Sequence, residues 1–293
     1  MDTDLTKLRD HLIQHVQSSD QVPLKKLGIF HTHQFQALRS VPIHQPSIIF
    51  VLDGTKSLVM SEQTFLAQSG SMLIAPGNVT LSLTNEPSSI SGHYLALTVS
   101  FTDDIISQYR KLSGPKINKD TRQTILCAEM PDVLMRALFQ WVELCQQSTP
   151  SSTSDTLHQL KALEVLTHLE GMGAVGDLLA NFKPGWKGKV LTLIQSDLAH
   201  SWSLGEVCRR LGTSESSLRR HLQTEGTSFR DLLEDCRLVA ALAMLQESYR
   251  PIGHIALDVG YTNQGHFAER FKKRFAMSPS ELRLTREPKA VAQ

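Results

Sequence analysis

The sequence predicts an α+β protein: an N-terminal β domain carrying helices, joined to an all-α C-terminal module with two helix-turn-helix units and a long linker helix. Three observations predict it. Between about residues 24 and 100, short segments rich in Val, Ile, Leu, Thr and Phe (PSIIFVLDG, TKSLVMS, SMLIAPG, HYLALTVSF) are punctuated by Gly54, Gly70 and Gly77, the texture of close-turned antiparallel strands. After Phe101 the apolar residues take up helical spacing. The last hundred residues contain an internal repeat.

Taken in order, residues 1–17 predict a short helix with Leu5, Leu8, Leu12, Ile13 and Val16 on its apolar side. The strands follow. CAEMPDVLMRALFQWVELC predicts a helix over 127–145, and TLHQLKALEVLTHLE predicts another over 156–170, with Asp155 as its cap. Leu157, Leu160, Leu163, Leu166 and Leu169 spread over one broad side of that second helix, a surface suited to the β domain or to a second subunit. GMGAVGDLLANFKPGWKGK is glycine-rich and holds Pro184, which places the domain boundary within 171–187 and a linker at 181–187. Its glycines lack the GxxxxGK[ST] spacing that cradles a phosphate.

Composition narrows the class. At 41% hydrophobic and 20% charged the chain is globular, neither fibrous nor disordered. It contains no run of about 18 apolar residues and no basic segment leading into an apolar one, so the expectation is no membrane span, no secretion and a cytoplasmic location. Cys127, Cys145, Cys208 and Cys236 lack ligand spacing and predict reduced, buried thiols. The formal charge of +1 hides an asymmetry: residues 187–293 carry 16 Lys+Arg against 12 Asp+Glu, the rest 14 against 17. A weakly basic module joined to an acidic domain suits nucleic-acid binding.

In the repeat, SLGEVCRRLGTSESSLRRHL aligns with PIGHIALDVGYTNQGHFAERF through Leu204/Ile252, Val207/Ile255, Cys208/Ala256, Leu211/Val259 and Gly212/Gly260. After one extra turn residue, Leu218/Phe267 and Leu222/Phe271 continue the match. Each unit reads as helix, glycine turn, helix, with Ser214 and Asn263 as caps of the second helices. SFRDLLEDCRLVAALAMLQES between them predicts one helix over 228–247. If the two second helices enter successive major grooves on one DNA face, they lie roughly 34 Å apart. With Leu218 and Leu222 inward, Ser216, Arg219, Arg220 and Gln223 lie at or beside the outer face. With Phe267 and Phe271 inward, Gly265, His266, Glu269, Lys272 and Lys273 do so, and Gln264 stands at the helix start. Arginine can bond guanine O6 and N7 or a phosphate. Arg270 and Arg274 flank the apolar side, placed to cover core with their stems and reach phosphate with their heads.

LGEVCRRLGTSESSLRRHLQTEGTSFRDLLEDCRLVAALAML and IGHIALDVGYTNQGHFAERFKKRFAMSPSELR together resemble the AraC/XylS family of bacterial transcription regulators. The resemblance implies a DNA-binding domain over 188–293 that binds double-stranded promoter DNA, most often as an activator contacting RNA polymerase; a repressor of the same family is the alternative. It selects Ser216, Arg219 and Arg220, then Gln264, Gly265, His266, Ala268 and Glu269, as DNA-facing. Members commonly have arginine at Glu269, glycine at Ala276 and tyrosine at Leu282. IHQPSIIFVLDGTKSLVM and FLAQSGSMLIAPG resemble the cupin-like regulatory domain of such proteins, which implies effector sensing or homodimerisation for residues 1–180. The effector implied is a small molecule, with fatty acids and sugars both in range, or a protein.

An enzyme reading has less support. His31-Thr32-His33 has HxH spacing, yet it falls before the first clear strand and lacks the later Glu and His of a cupin metal centre, with His44 and His93 as further candidates. No nucleophile elbow or HExxH occurs. The expectation is a non-enzyme without cofactor, a cupin-like enzyme fused to a DNA-binding module being the remote alternative.

Overall fold

The computed structural model describes residues 2–17, 24, 27–114, 124–147, 152–179 and 185–288. Helix α1 (Asp2–Gln17) is followed by β1 (Leu27–Thr32), β2 (Gln36–Ile43), β3 (Ser47–Asp53), β4 (Thr55–Met60), β5 (Gln63–Gln68), β6 (Ser71–Ala75), β7 (Val79–Glu86) and β8 (Tyr94–Ser100). Then come α2 (Asp103–Ser113), β9 (Leu126–Glu129), α3 (Asp132–Gln147), α4 (Ser152–Gly171) and the single turn α5 (Val175–Leu178). The strands form two antiparallel sheets, β1-β8-β3-β6-β9 and β2-β7-β4-β5. Every residue of β3 is buried, as its unbroken SIIFVLD run requires of a strand covered on both faces. Ile48, Phe50 and Leu52 face the helices, while Ile49 and Val51 face the barrel interior. The β4–β5 hairpin turns through Ser61 and Glu62, both at positive φ (48° and 69°), the twist a two-residue hairpin demands. Gly54 at φ 75° is required twice over, because a Cβ there would stand 2.5 Å from the Glu86 carbonyl.

The C-terminal module comprises α6 (Trp186–Ser196), α7 (Leu204–Leu211), α8 (Glu215–Thr224), α9 (Phe229–Glu247), α10 (Ile252–Asp258), α11 (Gln264–Phe275) and α12 (Pro279–Leu284). Helix α6 begins within the segment expected as linker; residues 181–184 lie outside those described.

Four expectations are corrected. Cys127–Glu129 is not helical: Leu126–Glu129 pairs with β6, and the helix starts after Pro131, whose ring suits a first turn but not a helix interior. Cys127 is accordingly exposed, although all four cysteines are free and the other three buried. Helix α4 starts at Ser152, so Asp155 lies in its first turn rather than capping it. His31 and Thr32 belong to β1, which precedes the strand read as first. Leu166 and Leu169 join the core that α1 to α5 form over the five-stranded sheet, whereas Leu157 and Leu160 stay exposed.

The two domains share a seam. β1 and β2 are the edge strands of their sheets; α9 packs on both and α11 packs on β2. Covering an edge removes the unpaired amides that otherwise invite aggregation. The barrel interior (Leu38, Val51, Leu58, Leu83) and the inner faces of α9, α10 and α11 (Leu242, Ile255, Phe267, Phe271) form one continuous core. The first helix-turn-helix unit has a core of its own, built from Val190, Ile194, Trp202, Val207, Leu218, Leu222 and Leu232.

Candidate nucleic-acid interface and buried cavity

In the first unit, α7 is capped by Ser203 and ends at Gly212, whose left-handed φ of 64° turns the chain into α8. The Ser214 hydroxyl accepts the Ser217 amide at 3.2 Å and starts α8. Leu218 and Leu222 are buried, which leaves Ser216, Arg219, Arg220 and Gln223 exposed along one outer side. Arg219 reaches Glu215 at 3.3 Å, an exposed pair four residues apart that a phosphate could replace at little cost. The Arg220 side chain forms no ion pair or hydrogen bond among the described residues. Glu225, at the end of α8, accepts the Trp186 and Lys187 amides at 2.9 and 2.8 Å and so caps α6, while Trp186 stacks on His221.

The second unit repeats this grammar with different anchoring. Asn263 accepts the His266 amide at 2.9 Å, and Phe267, Phe271 and Phe275 are fully buried. Gln264, Gly265, His266, Glu269, Lys272 and Lys273 are exposed and Ala268 is half-buried. Arg270 and Arg274 do not offer free heads to phosphate: Arg270 makes a bidentate pair with Glu234, and Arg274 meets Asp235 at 2.9 Å, both on α9. Lys272 faces Glu281 of α12 at 3.5 Å. Glu269 therefore stands without an ion pair or hydrogen bond among the described residues, since its neighbour Lys272 is drawn elsewhere. Ala276 holds the left-handed C-cap of α11 at φ 61°, a conformation that favours glycine. Leu282 is fully buried.

A partly open cavity of about 280 Å3 lies between the sheets, with α9 forming one wall. Leu38, Leu81 and Leu83 line it from the four-stranded sheet, Ile49 from the five-stranded sheet, and Val239, Leu242 and Ala243 from α9. Three ionisable groups line it: His44, Lys56 and Glu247. Lys56 of β4 is fully buried, donates to Asn85 Oδ1 at 2.7 Å, and has its pKa pushed down to about 7 by desolvation. Glu247, at the end of α9, is raised to about 7, mainly by burial, against a hydrogen bond from the Ile29 backbone. From Asn85 the bonds run to Gln36 Oε1 and on to Gln246 and Thr285 of the C-terminal module. This network was not foreseen; the one available signal is that Lys56 shares the inward face of Leu58 in TKSLVM.

The histidines converge more than their spacing suggested. The β1–β8 register sets Thr32 opposite Tyr94, and the His31, His33 and His93 rings lie 4.8 to 6.0 Å apart. Among the described residues no group of three or more His, Cys, Asp or Glu is arranged to hold a metal ion, and His44 lies apart at the end of β2.

Two helix-turn-helix units on a module packed against a cavity-bearing β barrel define the class, a DNA-binding regulator. Residues 23–169 match the AraC-type transcriptional regulator N-terminus, and residues 207–285 match a helix-turn-helix domain. The chain belongs to the AraC family of transcription regulators. It is 25% identical to the urease operon transcriptional activator of Escherichia coli over 82% of this chain and 84% of that protein. It is 32% identical to the regulator GadX of Escherichia coli K12 over 36% of this chain and 38% of GadX. In fold it is similar to ToxT of Vibrio cholerae: the apo form of a ToxT point variant gives a TM-score of 0.61 over 89% of this chain and 97% of that one, at 16% identity. A ToxT structure described as bound to unsaturated fatty acid gives 0.58 over 91% and 97%, also at 16% identity. No helix among the described residues is long and apolar enough to cross a membrane.

Proposed function

We propose that this protein is a cytoplasmic, effector-responsive transcription activator, not an enzyme, which binds promoter DNA through α8 and α11 and positions RNA polymerase. One observation carries the effector part: the cavity is walled jointly by the barrel and by α9, the helix that joins the two DNA-binding units. A molecule filling it touches both domains at once, so its affinity depends on how they are docked, and docking depends on the molecule in return. The lining favours a small apolar body with one acidic head. Lys56 supplies a cation at the buried end, and protonated Glu247 supplies a donor. The unsaturated fatty acid described for ToxT is of this class. The activating sign is supported by the relative described as the urease operon activator.

On DNA, Ser216, Arg219, Arg220 and Gln223 are the readers of the first helix. Gln264, Gly265, His266, Ala268 and Glu269 line the second, with Lys272 and Lys273 toward phosphate. The test is genome-wide occupancy paired with transcript changes in a deletion strain. Activation predicts that transcripts beside occupied promoters fall on deletion; a rise makes the protein a repressor. Equilibrium dialysis with an unsaturated fatty acid checks the effector class, and Lys56→Met should abolish uptake.

A further inference from the structure

Two histidines of the barrel lie in the seam, and each faces cations of the DNA-binding module. His31, on the covered edge strand β1, is 3% exposed with Nε2 unpartnered. Around it stand His33, whose ring bonds the Gly92 backbone, His93, which meets Asp53 at 3.2 Å, and Arg286 from the module. Arg286 is itself buried and donates to the Leu245 and Ser248 carbonyls. Beside this cluster the Thr285 carbonyl accepts the His33 and Gln34 amides at 2.8 and 3.0 Å and the Thr32 hydroxyl, so the module is fastened to the barrel there. His44, just past β2, also has an unpartnered Nε2. Lys187 of α6 and Arg274 of α11 face it, and Asp103 and Glu225 share its crevice, while Asp235 holds Arg274.

We propose that this seam is an acid-weakened latch: protonating His31 and His44 places new positive charge against Arg286, Lys187 and Arg274 and loosens the docking of the DNA-binding module on the barrel.

The sign follows from linkage. Burial first, then the neighbouring cations and histidines, hold both rings at about 3, below the ordinary 6.5 that exposure would restore. A group depressed in the docked state favours docking fully above 6.5, and that contribution is lost as pH falls from 6.5 toward 3, tenfold per unit for each histidine. Glu247 works the other way. Raised to about 7 when docked, against an ordinary 4.5, it favours docking increasingly as pH falls from 7 to 4.5 and offsets one histidine. Asp103, raised by burial and by nearby Asp104 and Glu225, acts in the same direction but is only half-buried. Lys56 completes its change at about 7 and above, outside the window. The net response is close to tenfold weaker docking per pH unit between 6.5 and 4.5.

Hydrogen exchange of the full chain reads this directly, because the His33 amide is protected by a carbonyl across the seam. Corrected for intrinsic exchange, its protection should fall about 15-fold between pH 6.5 and 5.0, while amides of the β3–β8 ladder hold theirs. In a His31→Gln/His44→Gln double variant the fall should vanish, since Glu247 and Asp103 then oppose His33 alone. In Glu247→Gln it should steepen to roughly 200-fold or more over the same interval. Unchanged His33 protection in the natural protein would overturn the latch, as would an equal loss in the β3–β8 ladder or a fall that survives in the double variant. Glu247→Gln keeps the test decisive if the double variant does not fold.

Discussion

The two helix-turn-helix units share a pattern and differ in what they are attached to. The first closes a core of its own, and its outer arginines are exposed with one loose partner between them. The second pours its phenylalanines into the core of the β barrel and has Arg270 and Arg274 bound to Glu234 and Asp235 of α9. The first unit is thus joined to the rest of the chain more loosely than the second, whose core and arginines are tied to the barrel and α9. Whatever changes the barrel or its cavity is felt first by the second unit.

The largest expected effect comes from breaking the shared core. Phe271→Ala should cost about 3–5 kcal/mol and lower the unfolding midpoint of barrel and second unit together in denaturant titration. Leu222→Ala, costing about 2–5 kcal/mol, should expose α7 and α8 to exchange while the barrel keeps its protection. If both substitutions act on the whole chain alike, the distinction between the units falls.

Next is the reader. Arg220→Ala should weaken binding to a specific promoter by about 1–3 kcal/mol with helicity unchanged in circular dichroism. A base contact predicts relaxed preference at one position; a phosphate contact predicts a uniform loss and a shallower salt slope. Equal affinity across a salt series excludes Arg220 as a contact.

Smaller is the effect of the clamps. Glu234→Gln removes one partner of a partly exposed pair, worth at most about 1 kcal/mol of stability. It should increase exchange at the start of α11 without touching α8. The smallest effect is expected at Glu269. Its exposure without an ion pair favours a carboxylate that repels phosphate or meets a base over one that braces Lys272, which α12 holds. Glu269→Arg should tighten binding nearly uniformly across single-base promoter variants, and Glu269→Gln should change preference at one position only if the carboxylate reads cytosine.

These contrasts show where sequence is informative. The strand texture, the repeat and the caps Ser214 and Asn263 were legible because they rest on local periodicity and local hydrogen bonds. The exposed faces of α8 and α11 followed from the buried Leu218, Leu222, Phe267 and Phe271. Cys127–Glu129 misled because three residues before a proline fit a helix start as well as an edge strand, and only the pairing with β6 decides. The Arg270 and Arg274 clamps, the Thr285 carbonyl at the seam and the Lys56–Asn85–Gln36 chain join residues tens to hundreds of positions apart. Nothing local in the sequence marks such pairs, since each is created by docking.

The claim that barrel and second unit form one body is tested most directly by Leu83→Ala, a barrel substitution at the cavity wall. Residue-resolved native-state exchange is the measurement. Amides of α10 and α11 should lose protection in step with β7, and those of α7 and α8 should keep theirs. Unchanged protection in α11, or an equal loss in α8, would contradict it.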